Sequence, residues 1–236
     1  MNLLRSTFFA IVQTFLTIVF SMLALLTFPI KPFSRYRIIF LWNHIVVRMA
    51  RVICGIRYEI KGLENMPDHP VIVMAKHQSA WETIALPTLF PPMSIVIKKE
   101  LLMIPFFGWG MRMASPIAID RKAGKEALKQ IVAQGKARIA EGFWVLIFPE
   151  GTRVKAGEAG RYGIGGAWLA THTKTPVLPV AHNAGEVWPK NSFLKRPGTV
   201  TVSIGPVISS EGKKADALNE EVKHWIETEM KQLPHA

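Results

Sequence analysis

A histidine and a carboxylate stand five positions apart in His77-Gln78-Ser79-Ala80-Trp81-Glu82. The segment follows directly on the apolar run Val71–Ala75. The end of a strand in an α/β fold is where ligands commonly bind. If the chain turns into a helix after His77, the Glu82 carboxylate returns to the imidazole. It then holds the ring through one nitrogen while the other takes a proton. That is the base-plus-orienter arrangement of general base catalysis, without a covalent nucleophile. The same two residues also suit a purely structural hydrogen bond.

A second block, Phe148-Pro149-Glu150-Gly151-Thr152-Arg153, also closes an apolar run, Val145–Phe148. Gly151 permits a close backbone approach or an unusual turn. Arg153 can grip a phosphate bidentately, and Glu150 can accept a hydrogen bond from a substrate hydroxyl. A strand-to-loop turn carrying a surface Arg–Glu pair fits the same residues. Between the two blocks, Lys98-Lys99-Glu100-Leu101-Leu102 and Ile119-Asp120-Arg121 place further basic groups near expected strand ends.

Several other chemistries lack their residues. There is no P-loop, no G-x-G-x-x-G, no H-E-x-x-H and no G-x-S-x-G. The single cysteine, Cys54, excludes a disulfide framework and a Cys-based zinc site. It lies in an apolar segment and reads as a packing residue.

The elements that must position these blocks follow from the patterning. Short β-rich runs occur at 57–61, 71–75, 94–97, 143–148, 177–181 and 199–204. Lys122–Glu141 and Ala215–Leu233 carry apolar residues at helical spacing. Strands alternating with helices predict an α/β domain: a mixed, largely parallel sheet flanked by helices, over residues 56–236. Residues 1–55 are expected to be membrane-anchoring or interfacial helices. Phe8–Ile30 holds no charged residue and is long enough to cross a hydrocarbon core of about 30 Å. Residues 36–54 are apolar but interrupted by Arg48 and Arg51, as in an amphipathic helix lying among lipid headgroups. The two segments suit either a crossing or a hairpin in one leaflet.

Lys and Arg number 29 against 17 Asp and Glu, a formal net charge of +12. Up to Tyr58 the basic residues are Arg5, Lys31, Arg35, Arg37, Arg48, Arg51 and Arg57, with no acid among them. These charges are interleaved with apolar runs, not gathered on a groove-reading or base-stacking module, so no nucleic-acid partner is expected. Lys31, Arg35 and Arg37 follow the long apolar run and put its C-terminal side in the cytoplasm.

Taken together and in order, the blocks resemble the glycerolipid acyltransferase family, specifically its bacterial 1-acyl-sn-glycerol-3-phosphate acyltransferases. The resemblance covers roughly residues 55–210. It rests on HQSAWE, on the KKELL, IPFFGWGM and IDR stretches, on FPEGTR, and on Val177-Leu178-Pro179-Val180. Two departures stand out. Glu82 occupies the place of the usual Asp and is one methylene longer. Gly163 stands where the family often has a lysine, with Arg161 close by.

The resemblance implies transfer of a fatty acyl chain from acyl-CoA or acyl carrier protein to the sn-2 hydroxyl of lysophosphatidate, giving phosphatidate. It implies His77 as general base and Glu82 as its orienter. Arg153, Arg121 and Lys99 are expected to hold the acceptor phosphate. Glu150 is expected to bind the glycerol backbone, and Gly151 and Thr152 to belong to the same acceptor phosphate and glycerol site. Neither a metal nor a cofactor is expected. The place implied is the bacterial inner membrane, with the catalytic domain on the cytoplasmic side and a phospholipid bilayer as partner. Another acceptor of the same class (lyso-ornithine lipid, glycerol 3-phosphate or another lysophospholipid) and a non-catalytic lipid-binding role are the alternatives.

Overall fold

The computed structural model describes every residue from Met1 to Ala236. Three helices open the chain: α1 (Asn2–Leu26), α2 (Pro32–Ile39) and α3 (Leu41–Cys54). Pro32 begins α2, where its fixed φ suits a helix and its missing N–H costs no bond. α3 ends at Gly55, whose φ of 74° is the left-handed value common just past a helix C-terminus. The amphipathic stretch expected over 36–54 is therefore two helices, divided at Phe40.

Strands and helices then alternate through β1 (Ile56–Lys61), β2 (Ile72–Ala75), α4 (Trp81–Leu89), β3 (Met93–Lys98), α5 (Phe107–Met113) and β4 (Ile117–Ile119). The series continues with α6 (Lys125–Ala140), β5 (Trp144–Ile147), α7 (Gly165–Thr173), β6 (Val177–His182), α8 (Ala184–Val187), β7 (Gly198–Ile204) and α9 (Ala215–Met230). The seven strands form one sheet in the order β1-β7-β6-β2-β5-β3-β4. Every pairing is parallel except the antiparallel join of β6 to β7. This is the expected mixed, largely parallel sheet. β4 was not foreseen because three residues carry too little periodicity to register.

The central strands read as continuous apolar runs because both faces of the sheet are covered. Alternate residues go to opposite sides. Val71, Val73, Ala75, Leu146, Leu178 and Val180 pack with α4, with Val46, Ala50 and Cys54 of α3, and with Phe9 of α1. Ile72, Met74, Val145, Ile147, Val177 and Ala181 face α6, α7 and α9 through Ile131, Leu169, Leu218 and Val222. The opening helices thus share directly in the core on one face of the sheet.

α1 lies along the body of the protein. Near its start, Ser6 Oγ accepts a hydrogen bond from Lys195 N at 2.9 Å, and Phe9 meets Trp188 edge to face at 5.4 Å. Near its end, Ser21 sits against Gly110 of α5 so closely that a Cβ at Gly110 would lie 2.9 Å from Ser21 Oγ. From Ser6 to Ser21 the helix runs about 22 Å at its ordinary rise. Its outer side exposes Leu4, Phe8, Ile11, Phe15 and Leu26. By length and composition α1 is apolar enough to cross a membrane.

Candidate active site

His77 and Glu150 both follow the C-terminal ends of adjacent parallel strands, β2 and β5, so both loops emerge at one edge of the sheet. After β2 the chain turns into α4 within a few residues, which places Glu82 in the first turn of that helix. Its carboxylate reaches back: Oε1 lies 2.8 Å from His77 Nδ1 and accepts from the backbone N–H groups of Gln78 at 2.9 Å and Ser79 at 2.8 Å. The extra methylene of Glu over Asp therefore still closes the contact to His77. With Nδ1 donating to a carboxylate, the other ring nitrogen carries the lone pair. The ring stacks on Phe148, centroids 4.2 Å apart, and 14% of the side chain is exposed.

Glu82 is wholly buried. Burial alone would raise its pKa. The charges of His182 and His77, the hydrogen bond from His77 and the Ser79 N–H outweigh that effect and hold the carboxyl below its ordinary value. It therefore stays ionised and keeps His77 in one tautomer. The N–H groups of Gln78 and Ser79 are spent on this carboxylate and are not free to serve a tetrahedral oxyanion. His182, also wholly buried, lies 2.7 Å through Nε2 from Lys76 O, and its Nδ1 accepts from Ala184 N at 3.3 Å. Burial pushes its pKa down, against Glu82 and the Lys76 carbonyl. It stands behind His77 and Glu82 as a buried hydrogen-bonding post.

His77 opens on a cavity of about 600 Å³. Arg121, Gly151, Thr152 and Arg153 line it on the side of the strand ends, and Phe20, Ala24, Ile84, Ile95 and Met111 are among the residues that make it apolar elsewhere. α1 is thus one wall of the site as well as part of the core. Gly151 has a φ of 67°, which disfavours other residues, and a Cβ there would sit 3.4 Å from Arg121 Nη1. Arg121 donates from Nη1 to the Gly151 carbonyl, so the guanidinium is tied to the FPEGTR turn. Arg153 forms no ion pair within the chain and presents its charge to the cavity.

Two residues expected in the acceptor site stand elsewhere. Lys99 is exposed and pairs with Asp120 Oδ2 at 2.5 Å, outside the cavity wall. Its neighbour Lys98, the last residue of β3, lines the cavity in its place. Lys98 still belongs to β3, whereas Lys99 opens the helical turn Lys99–Met103, which carries its side chain away to Asp120. Glu150 also stands outside the wall. Its side chain is fully buried, with Oε1 3.4 Å from Lys76 Nζ and 3.4 Å from His77 N. A turn acid looks exposed in sequence, and only the fold brings the lysine beneath it. Arg161, near the missing family lysine, is exposed and outside the cavity.

Lys76 is itself only 1% exposed and holds a small network together. Its Nζ meets Glu227 Oε1 of α9 at 2.6 Å and the Glu158 carbonyl at 3.1 Å, and Tyr162 donates to the same Glu227 oxygen at 2.9 Å. One lysine thus serves two carboxylates. Burial pushes the Glu150 pKa up to about 7, against the pull of Lys76 and nearby backbone N–H groups. A folded value above the ordinary 4.5 means the folded state holds this proton more tightly. That contribution to stability is full below about pH 4.5 and disappears as the pH rises through about 7. Glu150→Gln, which keeps the shape without the titration, should flatten the decline. Urea unfolding across this range checks it: a wild-type slope unchanged in the variant would refute the assignment.

A family model described as Acyltransferase matches residues 57–183. A curated 1-acyl-sn-glycerol-3-phosphate acyltransferase of Pseudomonas aeruginosa is 44% identical over 98% of this chain and 91% of its own length. A protein of the same name from Cocos nucifera is 30% identical over 89% of this chain and 67% of its own length. Among solved structures, the 1-acyl-sn-glycerophosphate (LPA) acyltransferase PlsC of Thermotoga maritima superposes with a TM-score of 0.80 over 98% of this chain and 95% of its own, at 22% identity. The matched family segment begins in β1, includes both the His77–Glu82 pair and the FPEGTR turn, and ends after β6; the chain belongs to the acyltransferase family.

Proposed function

We propose that this enzyme transfers a fatty acyl chain from a thioester donor, acyl-CoA or acyl carrier protein, to the sn-2 hydroxyl of 1-acyl-sn-glycerol-3-phosphate, giving phosphatidate. The observation that carries the reading is the composition of the cavity at His77. A long apolar lining ends at free cations beside a tethered imidazole, which suits an acceptor with one fatty chain, one phosphate and one hydroxyl. The names of the Pseudomonas and Cocos relatives favour the same acceptor.

In this reading the acceptor hydroxyl gives its proton to His77 Nε2 as its oxygen bonds to the thioester carbon. The C–S bond then breaks, and the thiolate leaves with the proton returned from the imidazolium. Glu82 stabilises that imidazolium through Nδ1. A thioester is activated enough that no acyl-enzyme need form. Arg153 and Arg121, with Lys98 beside them, hold the acceptor phosphate. Gly151 and Thr152 face the glycerol. Glu150 acts from behind by holding the turn and the His77 backbone.

α1 is the membrane element of the proposal. Since it touches the body at both ends, it lies in the plane of one leaflet with its apolar outer side in lipid, and does not leave the domain to cross the bilayer. The basic residues that follow it suit the anionic lipid of the cytoplasmic leaflet of a bacterial inner membrane.

The test is an acceptor series with one donor. Lysophosphatidate should turn over, and the same lipid without its phosphate should not. Arg153→Ala should raise the KM for the phosphorylated acceptor by about tenfold to a hundredfold, as loss of a charged hydrogen bond implies. An unchanged acceptor KM and kcat would remove Arg153 from the site. Turnover independent of the phosphate would remove the acceptor assignment.

A further inference from the structure

A second recess of about 520 Å³ lies beside α8, lined by Lys155, Gly185, Glu186, Lys190 and Arg196 among others. None of its three cations forms an ion pair within the chain. Its one carboxylate is already engaged: Glu186 Oε2 accepts from Ala236 N at 2.8 Å and Oε1 faces His235 Nδ1 at 3.4 Å. Three cations against one carboxylate leave the recess net positive in a concave setting, which concentrates anions.

The recess is joined to the catalytic loop. Val154 N donates to the His77 carbonyl at 2.8 Å, and Lys155 and Ala156 follow at once. Gly185 packs so tightly here that a Cβ would lie 2.9 Å from Gln78 Cβ and 3.4 Å from Ala156 Cβ. Lys190 lines both the recess and the main cavity.

The sheet order separates two charged regions. Lys98 and Arg121 follow β3 and β4, on one flank of β2 and His77. Gly185, Lys190 and Arg196 follow β6, on the other flank, and the chain that leaves β5 crosses over to bring Lys155 beside them. A two-substrate reaction at His77 needs two anionic ends brought to one point without repelling each other.

We propose that this recess binds the phosphate groups of a phosphopantetheine thioester donor, so that donor and acceptor reach His77 from opposite flanks of the sheet. This rests on the acyl-transfer reading above and assigns it a donor site. Arg196 offers a planar fork to a phosphate, and Lys155 and Lys190 offer point charges. The chemistry is shared by the phosphates of coenzyme A and by the phosphate that links phosphopantetheine to an acyl carrier protein.

The test uses the full chain in micelles of a neutral detergent, with the double charge reversal Lys155→Glu and Arg196→Glu. Neither residue lines the main cavity. The donor KM should rise by about tenfold or more, with greater effect at low salt, while kcat and the acceptor KM stay within about twofold. A rise with palmitoyl-CoA alone identifies nucleotide-borne phosphates as the ligand; a rise with palmitoyl-acyl carrier protein alone identifies the carrier. Either supports the recess. An unchanged KM for both donors, or an acceptor KM that rises in parallel, overturns it. So does weaker binding to phosphatidylglycerol vesicles with donor KM unchanged, which would make the patch a lipid contact. If the wild type acylates no lysophosphatidate, the acyl-transfer reading fails by itself. Calorimetric titration with coenzyme A and with holo acyl carrier protein then judges the recess alone. Binding lost in the double variant sustains it, and binding retained there or absent from the wild type refutes it.

Discussion

Replacing His77 with alanine lowers kcat by about 10²–10⁴-fold, the usual contribution of general base catalysis, while the protein keeps its fold. Both halves of the expectation come from the geometry. The imidazole is the only titratable ring in the cavity wall, and its Nδ1 is committed to Glu82 at 2.8 Å. Nothing else there is poised to take the hydroxyl proton. Removing the ring does not strand the buried carboxylate, because the N–H groups of Gln78 and Ser79 still donate to Glu82 Oε1. The variant should therefore melt near the wild-type temperature and release almost no free CoA or carrier thiol in the presence of acceptor. Turnover close to wild type would remove His77 from the role of base. A large fall in melting temperature would instead make the pair structural.

Replacing Lys76 with methionine acts the other way, on stability first. The cation is buried and satisfies Glu227 at 2.6 Å and Glu150 at 3.4 Å. Without it, one fully buried carboxylate and one largely covered carboxylate face each other with no compensating charge. Breaking a buried ion pair from one side typically costs about 3–5 kcal/mol, because the remaining charge must stay desolvated or take up a proton. Combining Lys76→Met with Glu150→Gln should recover part of that loss, since a neutral amide needs no cation. Urea unfolding of the two single variants and the double variant measures the coupling. A single-variant loss under about 1 kcal/mol, or strict additivity, would show that the cluster is not electrostatically linked. The network joins α9 to the residue immediately before His77, so a destabilised cluster also loosens the loop that carries His77.

How much of this was readable varied with the range of the interaction. His77 and Glu82 are separated by four residues, and one helical turn accounts for their contact, so local pattern suffices. Six of the strands announce themselves as short β-rich runs. β4 does not, because it is three residues long and gains its place by pairing with β3. The opening helices read as apolar, yet nothing local says that Phe9 meets Trp188 or that Val46 and Cys54 enter the core of the sheet. Lys76 offered a faint signal, a lysine directly after an unbroken apolar strand, which must either find a partner or lose its charge. Its partners Glu150 and Glu227 lie far along the chain, on separate elements.

The residue types and their spacing were enough for the α/β class, the histidine–carboxylate pair, the Arg153 turn and the apolar basic N-terminus. These depend on period, on short sequence distance and on composition, all of which a chain carries before it folds. Tertiary structure decided which lysine faces the cavity, because it ends β3 at Lys98 and turns the chain at Lys99. It turned Glu150 from an apparent surface acid into a buried partner of Lys76, laid α1 along the body as a wall of the cavity, and gathered Lys155, Lys190 and Arg196 around one recess. Each of those outcomes joins groups distant in sequence. Their positions are set by strand order and by packing on both faces of the sheet, and no local pattern encodes either.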